Sequence, residues 1–448
     1  MSDLYKQAFL RGFSDNPNKK EDFSLFESMG EFFERNVSDA KNFFARFQTV
    51  RDRVAYYKSK VMADLANHLI DFESRLGAQG GKVIYAEDAA HALDEIEKLV
   101  PPTDNLFLSQ SELLHEIGLK AFLKGRKHTF FLSDLQSLPY PLLPEPSDKI
   151  LSELIQAYTL EDYKPSKEDV MFLYKKHLIN RLYSNSTVVT SADFLISDMG
   201  AAVISDQGGL NTLYTSFCRK HIVVAGIDRL IPSLSEADYF TSMRAACSMG
   251  RNHAWNEMIV SGPRSGEEID GPEEFYVILI DNGRTELLSQ VHQRSVFNCI
   301  HCQACQVLCP VFKFTNRLDG LSVKGPLNCV KDPICKGFED NAYLAFACTL
   351  CGKCSEVCPA KIDLQELILY NRKEAVEREM FFSIERKQMK LLKKMLLKQK
   401  SLDSGFNRLS IKMKFKKMYG TQKEFPDFGK KGFRLQWQEN IRNNNNKQ

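Results

Sequence analysis

The 448-residue sequence has no run of about 18 or more apolar residues, so it offers no helix that would span a bilayer. Met1 to Lys20 contain neither an apolar h-region nor a small-residue cleavage site, and the expected compartment is therefore the cytoplasm. Neither G-x-G-x-x-G nor a P-loop occurs, so no dinucleotide or flavin fingerprint is present, and no nucleophile–base arrangement stands out. The nine histidines, His292 among them, show no metal-ligand spacing. Disorder is excluded too, because 43% of the residues are apolar and 26% charged. At this length the prior is two to four domains.

The net charge of +3 hides an asymmetry. Phe381 to Gln448 carry 18 basic and 5 acidic residues, or +13, which leaves the preceding body at −10. A basic tail on an acidic body is either a docking surface for an acidic partner, a membrane surface or nucleic acid, or a solvated helical face. Without aromatic interleaving or a recognition motif, nothing selects nucleic acid.

Cysteine decides the class. Eight of the 12 fall into two runs, while Cys218, Cys247, Cys329 and Cys335 are scattered. A disulfide framework would spread its cysteines through a small secreted chain. The first run is Cys299, Cys302, Cys305 and Cys309 before Pro310; the second is Cys348, Cys351, Cys354 and Cys358 before Pro359. Both read C-x2-C-x2-C-x3-C-P, and all four cysteines repeat at an offset of 49 residues, which marks an internal duplication.

Three thiolates at such intervals wrap a loop around one corner of an iron–sulfur cube, and in two-cluster ferredoxins the fourth cysteine of one run ligates the other cluster. The pattern predicts two 4Fe–4S clusters. One is held by Cys299, Cys302, Cys305 and Cys358, the other by Cys348, Cys351, Cys354 and Cys309. Zinc ribbons use separated pairs, whereas each run here packs four thiols into eleven residues. His301, Lys313, Lys353 and Lys361 lie close enough in sequence to tune a cluster, and Cys329 and Cys335 read as unligated thiols.

Around these runs the chain divides into four. Residues 1–78 are a helical segment, with Phe43, Phe44, Phe47, Val50, Val54, Tyr57, Val61, Leu65 and Leu69 at helical spacing until Gly77 and Gly80-Gly81 stop it. Residues 79–288 alternate strands with helices. The strands are Val83–Tyr85, Asn105–Leu108, Thr129–Leu132, Thr187–Thr190, Phe194–Ser197, Ala202–Ile204, Ile222–Ala225 and Phe275–Ile280, with helices over Ala89–Leu99 and Glu112–Phe122. That alternation predicts an α/β domain on a largely parallel sheet, its ligand crevice at the carboxyl ends of the strands. Residues 289–380 are helical and cysteine-rich, with Asp363 and Glu366 capping a helix start, and 381–448 form the basic region. Two loops in the α/β part suit an anion, the Asp206–Asn211 turn with Gly208 and Gly209, and the Ser261–Glu268 turn with Arg264.

Ala192–Gly200, His221–Ile227, Ser261–Glu268, Gly271–Phe275, Asp281–Arg284 and both cysteine runs together resemble the lactate utilisation protein B family, nearly throughout the chain. The resemblance implies an α/β LUD domain, similar to the sugar-phosphate isomerase and CoA-transferase fold. An all-helical two-cluster ferredoxin domain and a basic helical C-terminal segment would follow it. It also implies an electron-transfer subunit, non-catalytic or co-catalytic, in a multi-component system that oxidises L-lactate to pyruvate. Its partners would be a cysteine-rich protein similar to heterodisulfide reductase subunits and a second LUD protein. The alternative is that the α/β domain binds or transforms a small acid or acyl carrier while the clusters serve another oxidoreductase.

Overall fold

The computed structural model describes residues 46–132 except 110 and 129, then 182, 186–206, 209–250, 256–315, 325–380 and 433–445, with isolated positions 35, 38, 390, 393 and 397. The expected N-terminal helix is two helices, α1 (Phe47–Ala63) and α2 (Leu65–Ala78), which divide at Asp64. Each turns an apolar stripe inward, Val54 and Val61 from α1, Phe72 and Leu76 from α2. Gly80, in the left-handed region at φ +85°, ends the segment. Phe43 and Phe44 lie outside the described residues.

A six-stranded sheet follows, built from β1 (Lys82–Ala86), β2 (Asn105–Leu108), β3 (Phe130–Leu132), β4 (Ser186–Ser191), β7 (Lys220–Gly226) and β10 (Glu274–Ile280). Its order is β1-β10-β7-β4-β2-β3 and every pairing is parallel. Strands covered on both faces read as apolar runs, as in Ile222–Ala225 of β7, where every residue is buried.

Two of the expected strands leave that sheet. β5 (Phe194–Ile196) and β6 (Ala201–Ser205) join β8 (Leu230–Ile231) and β9 (Glu257–Val260) in a second sheet of order β8-β5-β6-β9. Only residues 197–200 separate β5 from β6, and they pair antiparallel. A parallel crossover needs about a dozen residues, so so short a connection could only make a hairpin. β9 escapes sequence reading because it is four residues long and alternates exposed with half-buried.

The α/β helices are α3 (Ala89–Leu99), α4 (Glu112–Glu116), α5 (Leu119–Gly125), α6 (Leu210–Phe217), α7 (Leu234–Met249) and α8 (Arg284–Ser289). Asp88 caps α3 by accepting from His91 N at 2.8 Å, and Ser111 caps α4 by accepting from Leu114 N at 3.0 Å. Gly118, at φ +74°, breaks the single helix expected over Glu112–Phe122. Beyond α8 come α9 (Ala304–Val307), α10 (Pro310–Thr315), α11 (Pro326–Cys335), α12 (Phe338–Asn341), α13 (Tyr343–Ala347), α14 (Lys353–Val357) and α15 (Leu364–Glu377). No strand occurs among the described residues from 289 to 380. Asp363 caps α15, accepting from Glu366 N at 3.2 Å. The basic region lies mostly outside the described residues; within it, α16 (Phe433–Asn445) is exposed along most of its length. No described helix is long and apolar enough to cross a membrane.

One apolar core runs through both halves. It joins Phe72, Leu76, Val223 and Val277 to Ile300, Cys302, Val330 and Leu367. A second core, with Ile96, Leu106, Val189 and Ile278, covers the opposite face of the parallel sheet. The cysteine-rich helices are thus packed onto the α/β layer, and α1, which also packs on β8, is tied to them through Arg51, whose guanidinium donates to the Cys358 carbonyl at 2.6 Å.

Candidate metal centre and the cavity beside it

The duplication in sequence is also a duplication in backbone. His301 and Gln303 are left-handed at φ +53° and +61°, and 49 residues on, Leu350 and Gly352 are left-handed at φ +55° and +79°. Left-handed backbone costs non-glycine residues about 1–3 kcal/mol each, so three such residues held in two matching loops indicate a conformation the surroundings enforce. In each loop the second amide after the first cysteine donates to its sulfur, His301 N to Cys299 Sγ and Leu350 N to Cys348 Sγ, both at 3.3 Å. The fourth cysteines receive the same kind of bond at 3.4 Å, from Phe312 N to Cys309 and from Ile362 N to Cys358. Amides aimed at sulfur favour thiolate.

Each fourth cysteine has thiols of the other run as neighbours. Burial and then the neighbouring Cys358 push the Cys299 thiol up to about 12, and Cys305 is raised well above its ordinary value by burial, Cys299 and Cys358. Cys309, raised mainly by burial, has Cys348 and Cys351 as thiol neighbours. A recess in the protein is lined by Cys299, Cys302, Cys305 and Cys358, with Leu327, Ile362 and Leu364 around them. Among the described residues no three His, Cys, Asp or Glu converge tightly enough for a single metal ion. Four soft sulfur donors per set, amide bonds to sulfur and apolar walls fit an iron–sulfur cluster better than a lone zinc.

Around the first loop lies a buried ionic network. The His301 ring Nε2 is 2.8 Å from Asp228 Oδ2, and the Arg284 Nε donates to Asp228 Oδ1 at 2.7 Å. Arg284 also reaches Glu116 at 3.2 Å, and Lys331 Nζ reaches the same carboxylate at 3.0 Å. Burial alone would raise both carboxyls. Arg284 with His301 holds Asp228, and Arg284 with Lys331 holds Glu116, well below the usual range. Lys58, fully buried on α1, donates to the carbonyls of Asp228 and Leu230, and burial pulls its ammonium down to about 8. Gly226 admits this packing, since a Cβ there would lie 2.2 Å from Asp228 Oδ1.

Of the other residues singled out in sequence, His292 stacks on Tyr370 at 4.2 Å and Lys361 pairs with Asp52. Lys353 begins α14; Lys313 lies in α10, its side chain outside the description. Cys335 donates to the Gly283 carbonyl at 3.2 Å, and buried Cys329 has Cys348, Cys309 and Cys354 as thiol neighbours. Arg264 is tied to Glu273 at 2.8 Å on an exposed turn.

A cavity of about 900 Å³ opens at the carboxyl ends of β2 and β4, where Ser109 and Ser191 stand, which is where the strand pattern put a crevice. Its far wall is the first cysteine loop itself, His301, Cys302 and Gln303. Asp206 and Asn211 line it; Gly208 lies outside the described residues. Sequence reasoning missed Ser109, Arg229 and Arg244, which also line it and come from three separate stretches.

Residues 69–280 match the LUD domain family, and residues 295–362 match a family described as a 4Fe-4S dicluster domain. The chain is 29% identical over 344 residues to lactate utilization protein B of Macrococcus caseolyticus, covering 73% of this chain and 72% of that protein. It is 28% identical over 341 residues to lactate utilization protein B of Anoxybacillus flavithermus, covering 72% and 71%. It is also 27% identical over 356 residues to the uncharacterized electron transport protein YkgF of Escherichia coli, covering 76% and 74%. The resemblance drawn from the motifs therefore holds over about three quarters of the chain, in a LUD domain and a 4Fe-4S dicluster domain.

Proposed function

We propose that this protein is an iron–sulfur electron-transfer subunit of a multi-component L-lactate utilisation system. The observation that supports the reading is that Cys358 lines one recess with Cys299, Cys302 and Cys305, while Cys309 has Cys348 and Cys351 as neighbours, which favours crossed sets with Cys354 in the second. Each set would hold one 4Fe–4S cluster. Such a cluster supplies reversible one-electron transfer, at a potential set by charge, hydrogen bonds and exposure. The chain's own residues fix the two loops, exclude water from the first through Ile300, Ile362 and Leu364, and balance buried charge through Lys58 and Arg229. The names of its relatives motivate lactate as the ultimate reductant and electron transport as the task. In this reading a cysteine-rich protein similar to heterodisulfide reductase subunits and a second LUD protein flank it in the relay. The basic C-terminal region then docks on an acidic partner or on lipid.

The test is electron paramagnetic resonance on protein purified anaerobically with its co-purifying partners, before and after L-lactate. Reduced-cluster signals that appear with lactate only when partners are present support the relay. Clusters that dithionite reduces but lactate leaves silent, partners included, remove the lactate assignment and keep the electron-transfer one. The large cavity favours a second reading, in which the α/β domain binds its own ligand.

A further inference from the structure

From the cavity at the carboxyl ends of β2 and β4 we infer a binding site for a hydroxyl-bearing organic anion, larger than a three-carbon acid, held against the first cysteine loop. The inference does not rest on the lactate reading.

Of the five buried side-chain polar atoms that find no partner among the described residues, three line this cavity: Ser109 Oγ, Asn211 Oδ1 and Arg244 Nε. Leaving a buried polar atom unmet is costly, so three around one cavity indicate that something else satisfies them. Ser109 is 7% exposed and points its hydroxyl to no described neighbour.

The charges say what kind of molecule. Arg229 is 8% exposed, and its one hydrogen bond among the described residues is a 3.4 Å contact to the Asp193 carbonyl. The adjacent Asp228 gives it no hydrogen bond, its carboxylate oxygens being engaged by Arg284 and His301, and acts on it only through space. Three carboxylates share the wall. Asp193 is held by Arg244 at 2.7 Å and Asp206 accepts from Thr212 N at 2.8 Å, while Glu112 heads α4. Lys120 and Lys124 stand on the opposite wall, where burial and mutual repulsion lower the Lys120 ammonium. Cations without full partners favour an anionic group, carboxylate or phosphate, and a guanidinium suits either. Asn211 Oδ1 is an acceptor and demands a donor, which a hydroxyl provides.

Size and lining narrow the class. About 900 Å³ lies at the upper end of the roughly 300–1,000 Å³ range that holds drug-sized ligands, several times what a three-carbon acid fills. Among the described residues no Phe, Tyr or Trp lines the cavity, and the rings that do are the imidazoles of His115 and His301. Five serines do line it, Ser109, Ser111, Ser191, Ser205 and Ser248, which suits a chain of hydroxyls.

The experiment is calorimetric titration of the intact, iron-loaded protein with gluconate and with glucose 6-phosphate, beside L-lactate, butyrate and sorbitol. The expected result is binding of one six-carbon anion at least about tenfold tighter than lactate, butyrate or sorbitol. Gluconate as the winner assigns a carboxylate to Arg229, and glucose 6-phosphate a phosphate. Arg229→Gln should weaken that binding by about tenfold or more. Ser109→Ala guards against misfolding, with opposite effects: a free protein that melts no lower than wild type, because an unmet hydroxyl is gone, and a smaller ligand-induced rise in Tm. Absence of heat from both six-carbon anions at about 10 mM overturns the inference, and so does binding that Ser109→Ala and Arg229→Gln leave unchanged.

Discussion

The two cysteine loops share sequence spacing, left-handed turns and amide-to-sulfur bonds, yet they sit in opposite surroundings. The first backs onto the α/β layer. Cys302 is 7% exposed, Arg229 and Lys58 act on Cys299, and Arg51 acts on Cys358. The second is open to solvent at Cys351, the one exposed cysteine among the described residues, although its Cys354 is as buried as Cys302. Its nearest cation bonds are those of Arg372 to backbone carbonyls of Ala345 and Cys348. Duplication copied the loop and left the surroundings to diverge. Because cluster potential follows charge, hydrogen bonding and exposure, clusters held in these two equally spaced loops would differ in potential.

The largest test of that contrast exchanges the fourth ligands one at a time. Cys358→Ser should damage the site that contains Cys299, Cys302 and Cys305, and Cys309→Ser the site that contains Cys348, Cys351 and Cys354. Each variant should lose about half of the iron and one of two reduced-cluster resonance signals. If Cys358→Ser instead abolishes the signal that Cys351→Ser abolishes, the fourth cysteines do not cross.

Next in size is the ionic network, which meets the first loop at His301. Glu116→Gln leaves Arg284 and Lys331 buried with less counter-charge, and breaking a buried pair in this way costs about 3–5 kcal/mol. Glu116 and Asp228 are depressed in the folded state, so their stabilisation is present above ordinary carboxylate pKa values. It fades as pH falls below about 4. The difference in Tm between wild type and Glu116→Gln should therefore be largest at neutral pH and shrink on acidification. A difference independent of pH would assign Glu116 a packing role without charge.

Lys58→Met asks a smaller and more selective question. Removing a buried cation beside Cys299 makes reduction harder at the first site alone, by on the order of 50 mV for a unit charge at an effective dielectric near 20. Redox titration followed by resonance should show one midpoint fall and the other stay. Equal shifts at both sites, in a protein of unchanged circular dichroism, would erase the electrostatic contrast between the loops.

Legibility in the sequence follows the same divide between local and assembled features. Eight cysteines at fixed spacing are a local signal, and so are apolar strands such as Ile222–Ala225 and Phe275–Ile280 or the Asp88 and Asp363 caps. Where a strand belongs is less local. Phe194–Ile196 looks like its neighbours until the short hairpin to Ala201 forces it into a second sheet. Lys58 is hidden completely, because a lysine on a charged helix reads as solvated until β8 packs its carbonyl onto it. Ser109, Arg229 and Arg244 carry no pattern at all, since only the fold brings three such separated positions to one wall.

The smallest predicted effect concerns Cys329, the ninth thiol at the second loop. Burial first, then Cys348 and Cys309, raise its thiol as burial raises the clustered thiols, and what sets Cys329 apart is that it stands outside both C-x2-C-x2-C-x3-C runs. Its helix is also fixed by Asn371, which donates to the Cys329 and Val330 carbonyls at 3.1 Å. Cys329→Ala should leave iron content and both resonance signals intact and cost only about 1 kcal/mol for the vacated volume. Loss of the second signal alone would make Cys329 a ligand, and the two loops would then differ in their donors as well as in their surroundings.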